Sequence, residues 1–201
     1  VREKADEVAQ QISSTGKQEF SVPAVLSAMK LFVPIGLAEE GILRFASCVN
    51  DQIAREADAN MRSLMDYRPT DATSDSTSIS NGGENESHIV VLAQLFETVA
   101  AYLHDSEASV IDIFGGQSLV TLAYKMQQQC DVYCEKIFVR YSDARSLDQV
   151  VRAVRTESAN ARDLDPLLNE MVVMSQRISA YFSFMKVRCL AALKNCNEIV
   201  S

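Results

Sequence analysis

The chain has 201 residues, 47% of them apolar, with 19 Lys and Arg against 27 Asp and Glu, a formal net charge of −8 and no tryptophan. That length and apolar fraction allow a sizeable core in one elongated domain or two small ones. The negative charge argues against a nucleic-acid binder that neutralises phosphates, and against general electrostatic attachment to anionic lipid.

Only 7 Gly and 4 Pro punctuate the chain, a composition suited to long helices rather than to sheets with many turns. The acidity is local. Residues 1–68 carry 8 Lys and Arg against 10 Asp and Glu and residues 125–201 carry 11 against 9, whereas residues 69–124 carry none against 8. Five cysteines, Cys48, Cys130, Cys134, Cys189 and Cys196, are an odd number in a chain large enough to fold without staples, which fits a reduced, cytosolic protein. The apolar run beginning at Ile89 is far short of the roughly 20 residues that span a bilayer, and no signal-peptide pattern is read. A soluble fragment is expected, an internal piece of a longer chain, since it starts at Val1 and still reads helical at its end. The sequon Asn85-Glu86-Ser87 carries little weight in a cytosolic chain.

In chain order, residues 1–19 read as the end of an upstream helix and a linker. Residues 20–66 predict a helical hairpin. Ser21-Val22-Pro23 opens a short helix with Val25, Leu26, Met29, Phe32 and Val33 on its apolar side, and Pro34 and Gly36 stop it. The tight connection from Phe32 to Leu37 turns the chain back. From Ala38 to Asp66, Ile42, Ala46, Val49, Ile53, Ala57, Met61 and Leu64 recur by threes and fours, with Glu39 and Glu40 in the first turn where they favour the helix dipole. Residues 67–87 lose this periodicity to Ser, Thr, Asp, Asn, Gly and Glu, and predict a disordered surface loop unable to offset its ordering entropy.

Residues 88–201 predict a helical bundle continuing the same rod. Ile89 to Leu103 is helical, with a break at His104-Asp105-Ser106 and a further turn or two to Phe114, ended by Gly115-Gly116. Gln117 to Tyr141 forms the next long helix, and Leu147, Val150, Val151 and Val154 a shorter one. Leu164 to Cys196 then predicts the longest rod, started by Asp165 as N-cap and Pro166 in the first helical position. Its expected core stripe is Leu164, Leu168, Met171, Met174, Ile178, Phe182, Met185, Cys189, Leu193 and Cys196. The three long stripes can be covered only by one another, so the fold class is all-α, an elongated antiparallel helical bundle.

No catalytic or metal-binding constellation stands up. Ile111 to Gly116 lacks the third glycine and the βαβ setting of a dinucleotide turn, and a helix-ending glycine is the simpler reading. Cys130 and Cys134, one helical turn apart, have no histidine near them in sequence and pack most simply as small hydrophobes. A di-iron bundle needs Glu-x-x-His, but Asn85 and Ala101 stand three residues before His88 and His104. Neither histidine offers an evident base for a Ser or Cys nucleophile.

Three blocks carry a family resemblance. Phe32, Pro34, Gly36, Leu37, Glu39, Glu40 and Gly41, followed by Phe45, form the first. Gly115 and Gly116 through Leu119, Leu122, Cys130 and Asp131 form the second. Leu164-Asp165-Pro166, Glu170, Arg177, Tyr181, Phe184 and Arg188 form the third. Together they resemble the middle α-helical portion of the family of the fourth subunit of the conserved oligomeric Golgi complex, over roughly residues 20–190. Phe114 departs from the tyrosine frequent in the family before the glycine, and the insertion at 67–87 is long. The resemblance implies a helical-rod tether and a non-enzymatic scaffold acting in intra-Golgi retrograde transport. It would sit peripherally on the cytoplasmic face of Golgi membranes, without membrane insertion. Its implied partners are the other subunits of the complex. SNARE and Sec1/Munc18-type contacts would lie mostly outside this stretch, and no catalytic residue, cofactor, metal or nucleic acid is implied. The runner-up is a rod of another, exocyst-like tether or a helical adaptor.

Overall fold

The computed structural model describes residues 20–66, 83–157 and 160–198, and the described residues form six α-helices and a 3₁₀ turn. Helix α1 (Val22–Met29) carries Pro23 at its start, where a missing N–H costs little, and buries Val22, Val25, Leu26 and Met29. The 3₁₀ turn Lys30–Ile35 follows, and Pro34 within it prevents an α-helical continuation. Gly36 then takes φ 75°, a left-handed conformation that favours glycine, while the Leu37 amide donates to the Phe32 carbonyl at 3.0 Å. The chain thereby reverses into α2 (Ala38–Asp66). Gly115, at φ 84°, makes the corresponding reversal between α3 (Gly83–Phe114) and α4 (Gly116–Ala144).

Helices α2, α3 and α4 pack on one another, and α6 (Ala161–Glu198) lies against α3 and α4. Directions follow from the cross-links. Asn50, Ala54 and Met61 of α2 meet Lys125, Tyr133 and Arg140 of α4 in the same order, so those two helices are parallel. Tyr141 of α4 meets Glu170 of α6 while Cys130 meets Tyr181, so that pair is antiparallel. The result is an up-down-up-down bundle of α2, α3, α4 and α6 capped by α1, the all-α antiparallel architecture expected from the periodicities. Its core runs from Phe32, Phe45, Ile42, Val49 and Ile53 on one side to Leu92, Leu95, Leu103, Leu119, Leu122, Met126 and Ile137 on the other. Each such side chain contributes about 1.5–3 kcal/mol by leaving water. Helix α5 (Leu147–Arg155) buries no residue and touches mainly α4.

Four boundaries and faces differ from the sequence expectations. No break occurs at His104-Asp105-Ser106; α3 runs straight through. Ser106 is fully buried, and its hydroxyl donates to the carbonyls of Tyr102 at 2.7 Å and Leu103 at 3.2 Å, so its polarity is satisfied inside the helix. Helix α3 starts at Gly83 and takes in the last residues of the expected 67–87 loop, the rest of which lies outside the described residues, as do residues 1–19. Helix α6 starts at Ala161, not at Pro166. Asn160 is its cap, with Oδ1 accepting from the Arg162 amide at 3.1 Å, and Asp165 and Pro166 are exposed within the opening turns.

The fourth difference is the core face of α6. Glu170, Met174, Tyr181, Met185 and Ala192 are buried, with Leu167, Ile178, Phe184 and Cys189 half-buried beside them. Leu168, Met171 and Phe182, expected in the core stripe, are exposed, and the side chain of Cys196 lies outside the described residues. The helix is apolar on two faces. A charged residue at 170 disguises the inner one.

Candidate interaction surfaces

The three sequence blocks converge in space. Gly41 begins the convergence: a Cβ there would stand 3.0 Å from Phe114 Cε1, 3.1 Å from Phe32 Cβ and 3.2 Å from the Met29 carbonyl oxygen. The missing side chain lets the start of α2 approach α1, the 3₁₀ turn and the end of α3 closely, and a methyl there would need its neighbours to shift by a few tenths of an ångström. The first block thus meets the Phe114-Gly115-Gly116 corner of the second. Phe32 is fully buried there, with the Arg44 guanidinium 5.3 Å from its ring centre. Arg44 also pairs with Glu40 one turn back at 2.8 Å. Glu39 stands in the same first turn of α2, and Leu37 is half-buried beside the core.

The second and third blocks meet along the α4–α6 seam. Cys130 is fully buried, and its Sγ lies 4.0 Å from that of Cys134. The contact between the two thiols lowers the Cys130 pKa, while the same contact and then burial raise that of Cys134. Cβ atoms one helical turn apart are about 5–6 Å from each other, beyond the 3.5–4.5 Å of a disulfide, so an intact helix keeps both as thiols. Asp131 turns outward and accepts from Gln127 Nε2 at 2.6 Å. Tyr181 is buried and stacks on Phe96 of α3, ring centres 4.4 Å apart and 11° from parallel. Burial, then the neighbouring Cys130, drive its hydroxyl pKa far upward.

Glu170 ends this seam. It is buried, it accepts from Nη2 and Nε of Arg145 at 2.6 and 3.0 Å, and it accepts from the Tyr141 hydroxyl at 3.0 Å. Burial and then the adjacent carboxylate push Tyr141 up to about 12. Eighteen residues on, Arg188 of α6 donates to Glu107 of α3 at 2.9 Å, with its guanidinium 5.3 Å from the Phe184 ring centre. A third cross-link joins α2 and α3: Glu56 accepts from the Tyr102 hydroxyl at 2.5 Å and from Gln52 at 2.8 Å. Burial and Glu56 raise the Tyr102 pKa. Arg145, Glu56 and Tyr102 are not singled out by the sequence, and Tyr141 only as the last member of the apolar stripe of its helix, where it is indeed buried. The signal available was a glutamate, Glu56 on α2 and Glu170 on α6, at a position in phase with the buried apolar residues of its helix.

Arg177 is exposed and lines a shallow groove of ≈ 250 Å³ between α3 and α6, with Glu97 on the other helix and Ala93, Phe96, Ala100, Ala180, Tyr181 and Phe184 around it. Leu164 is half-buried at the start of α6. Among the described residues, no group of three or more His, Cys, Asp or Glu side chains could hold a metal ion, and no helix is long and apolar enough to cross a membrane. His88 stacks edge-on against Tyr141, ring centres 5.9 Å apart, and His104 is exposed. What Glu170, Tyr181 and Arg188 build, among the described motif residues, is helix-to-helix cross-linking.

A family model described as "COG4 transport protein, middle alpha-helical bundle" matches residues 27–199. The chain is 28% identical over 179 residues to "Conserved oligomeric Golgi complex subunit 4" of Homo sapiens, an alignment covering 85% of this chain and 22% of the human protein. It is 27% identical over 185 residues to the protein of the same name from Mus musculus, covering 87% and 22%, and 27% identical over 179 residues to that of Bos taurus, covering 85% and 22%. The chain therefore spans about a fifth of the length of these relatives. No solved structure matches it. The matched range takes in α2 to α6 together with all three sequence blocks, and the chain belongs to the COG4 transport protein family through its middle alpha-helical bundle.

Proposed function

We propose that this segment is a non-enzymatic scaffold in a multi-subunit Golgi vesicle-tethering complex that serves intra-Golgi retrograde transport. The observation that carries this reading is the family match over residues 27–199, joined to relatives named as a subunit of the conserved oligomeric Golgi complex. The architecture supports it physically. Helix α6 alone, at 38 residues, is about 57 Å long. The polar side chains of the three cross-links, Glu170 buried and the charged ones around it partly so, tie helices to each other, which is what stiffness along a rod requires. The other subunits of that complex are the partners of this reading, and the cytoplasmic face of the Golgi membrane its place of action, held peripherally. SNARE and Sec1/Munc18-type proteins would be met through parts of the protein beyond this segment.

The test is complementation with the full-length protein in cells lacking the endogenous subunit. Wild type restores Golgi glycosylation, whereas Met174→Asp with Met185→Asp does not, because unpaired charges in the core unfold the bundle. Cys130→Ala with Cys134→Ala restores it, since both thiols serve packing. Failure of that cysteine variant with the bundle still folded would point to thiol chemistry and against a pure scaffold.

A further inference from the structure

The α4–α6 seam holds a pair of nucleophiles that the scaffold reading leaves unused. Cys130 and Cys134 bring their sulfurs to 4.0 Å. A disulfide needs about 2.05 Å, whereas two bonds of about 2.3 Å to one shared soft atom, meeting at about 90 to 109°, set the sulfurs about 3.3–3.8 Å apart. The observed separation is far too long for the first and within a small side-chain rotation of the second. Cys130 is fully buried and Cys134 half-buried, so a bridging atom would enter beside Cys134 and stop at Cys130. Tyr181 closes the inner side. It is 5% exposed, its hydroxyl has no hydrogen-bond partner among the described residues, and the group lies near enough to Cys130 to join Cys134 in lowering that thiol's pKa. A buried hydroxyl without a partner is uncommon, and this one stands beside the sulfur that a bridge would engage.

Charge and ligand number decide which soft atom fits. The charged side chain felt by both thiols is Asp131, whose carboxylate works against their ionisation. A monovalent metal bound by two thiolates would leave a net negative charge in the seam beside that carboxylate, and burying such a charge unpaired is costly. A divalent metal would balance the thiolates but needs two further ligands. Among the described residues no group of three or more His, Cys, Asp or Glu side chains could supply them. A trivalent arsenic atom that already carries one carbon substituent needs only two sulfurs, and the product is neutral.

We propose that Cys130 and Cys134 form a dithiol site for mono-organic arsenic(III) compounds, RAs(OH)₂, entered beside Cys134 and closed by Tyr181. Each thiol replaces one hydroxide on arsenic, its proton leaving with that hydroxide as water. Two As–S bonds form, two As–O and two S–H bonds break, two waters depart and nothing is oxidised or reduced. The Tyr181 hydroxyl then donates to the bridged sulfur of Cys130. A bridge across one turn leaves α4 intact, because a single atom between the sulfurs spans the distance that a disulfide cannot. The site stands beside the scaffold reading and does not depend on it.

The probe is phenylarsine oxide, added to the full-length protein and followed by peptide mapping under native conditions. Wild type should carry one phenylarsenic bridge on the peptide that contains Cys130 and Cys134. The bridge should survive excess 2-mercaptoethanol, which strips arsenic held by a single sulfur, and be removed by 2,3-dimercaptopropanol. Cys130→Ala and Cys134→Ala, each with the helix content of wild type, should bind about 100-fold more weakly, since the second As–S bond is an intramolecular one. Tyr181→Phe should still form the bridge, about threefold more slowly near neutral pH and with its rate profile moved to higher pH, as loss of one hydrogen bond to sulfur requires. Absence of a monothiol-resistant adduct at these two residues, or its persistence in either single-cysteine variant, would overturn the proposal. A Tyr181→Phe rate and pH profile equal to wild type would overturn the part given to the tyrosine. Rescue of glycosylation by the double cysteine variant, which cannot bind the arsenical, tests the scaffold reading separately.

Discussion

Arg145, just past the end of α4, reaches Glu170 of α6 with two parallel N–H···O bonds of 2.6 and 3.0 Å. The carboxylate is the more buried partner, its side chain 9% exposed against 26% for the guanidinium. That asymmetry fixes which loss costs more. Arg145→Ala leaves a buried carboxylate held by Tyr141 alone and should destabilise by about 3 kcal/mol, whereas Glu170→Gln frees a cation that can turn to water and should cost about 1–2 kcal/mol. The double variant should lose clearly less than the sum in urea unfolding. Strict additivity would show that the pair is not coupled.

Gly41→Ala is a second case in which the sign is decided by competing terms. Alanine favours a helix interior by about 1 kcal/mol over glycine. Against this, the added methyl meets Phe114, Phe32 and the Met29 carbonyl at 3.0 to 3.2 Å, and overpacking costs about 1–3 kcal/mol. A net loss is expected, visible as a lower melting temperature; a gain would mean that α1 and the 3₁₀ turn yield freely.

The two apolar faces of α6 separate in a matched pair of substitutions. Met174→Asp places a charge in the core and should unfold the isolated bundle, while Leu168→Asp, on the outer face, should change its stability by no more than about 0.5 kcal/mol. Circular dichroism melts of both variants check this directly. Equal damage from the two would return Leu168 to the core.

Alkali should weaken the fold over a definite range. Tyr133 and Tyr141 are each raised from 10.0 to about 12, in both cases first by burial and then by a nearby carboxylate. A raised folded pKa stabilises fully below the unfolded value of 10 and is lost as pH climbs through 12, because the unfolded chain gives up its protons first. Stability measured from pH 9 to pH 12 should therefore fall. Tyr141→Phe should flatten part of that fall, at the expense of one hydrogen bond at neutral pH. A pH profile identical to wild type would remove Tyr141 from the titration.

Much of the architecture was legible because periodicity and punctuation agreed. Gly36 and Gly115 mark the reversals into α2 and into α4, and the stripe from Ile42 through Ile53 to Met61 is the buried face of α2. The break expected at Ser106 failed because a hydroxyl that bonds back to its own helix looks, in sequence, like a polar interruption. The face of α6 was misread for a different reason. Intervals of three and four fit two overlapping stripes on a helix apolar on both sides, and hydropathy alone favours Leu168 and Phe182 over a stripe that contains Glu170. Only the presence of Arg145 and Tyr141 across the seam makes a buried glutamate acceptable. Partners brought together from separate helices leave no mark in local spacing. The groove at Arg177 and the Tyr181–Phe96 stack were hidden for the same reason.

The ion pairs at Glu170 and Arg188 bear on how the bundle carries mechanical load. They stand eighteen residues apart along α6, about 27 Å, and the inner face between them is Met174, Tyr181, Met185 and their neighbours. Such an apolar seam resists being pulled apart but opposes sliding weakly, since a shift of one turn brings similar side chains back into contact. A slip of 5.4 Å would, however, break Glu170 from Arg145 and Arg188 from Glu107 together. The two pairs act as teeth at either end of a smooth track. Tension along the rod is then resisted in shear by charge, while cohesion across it remains the work of the apolar core.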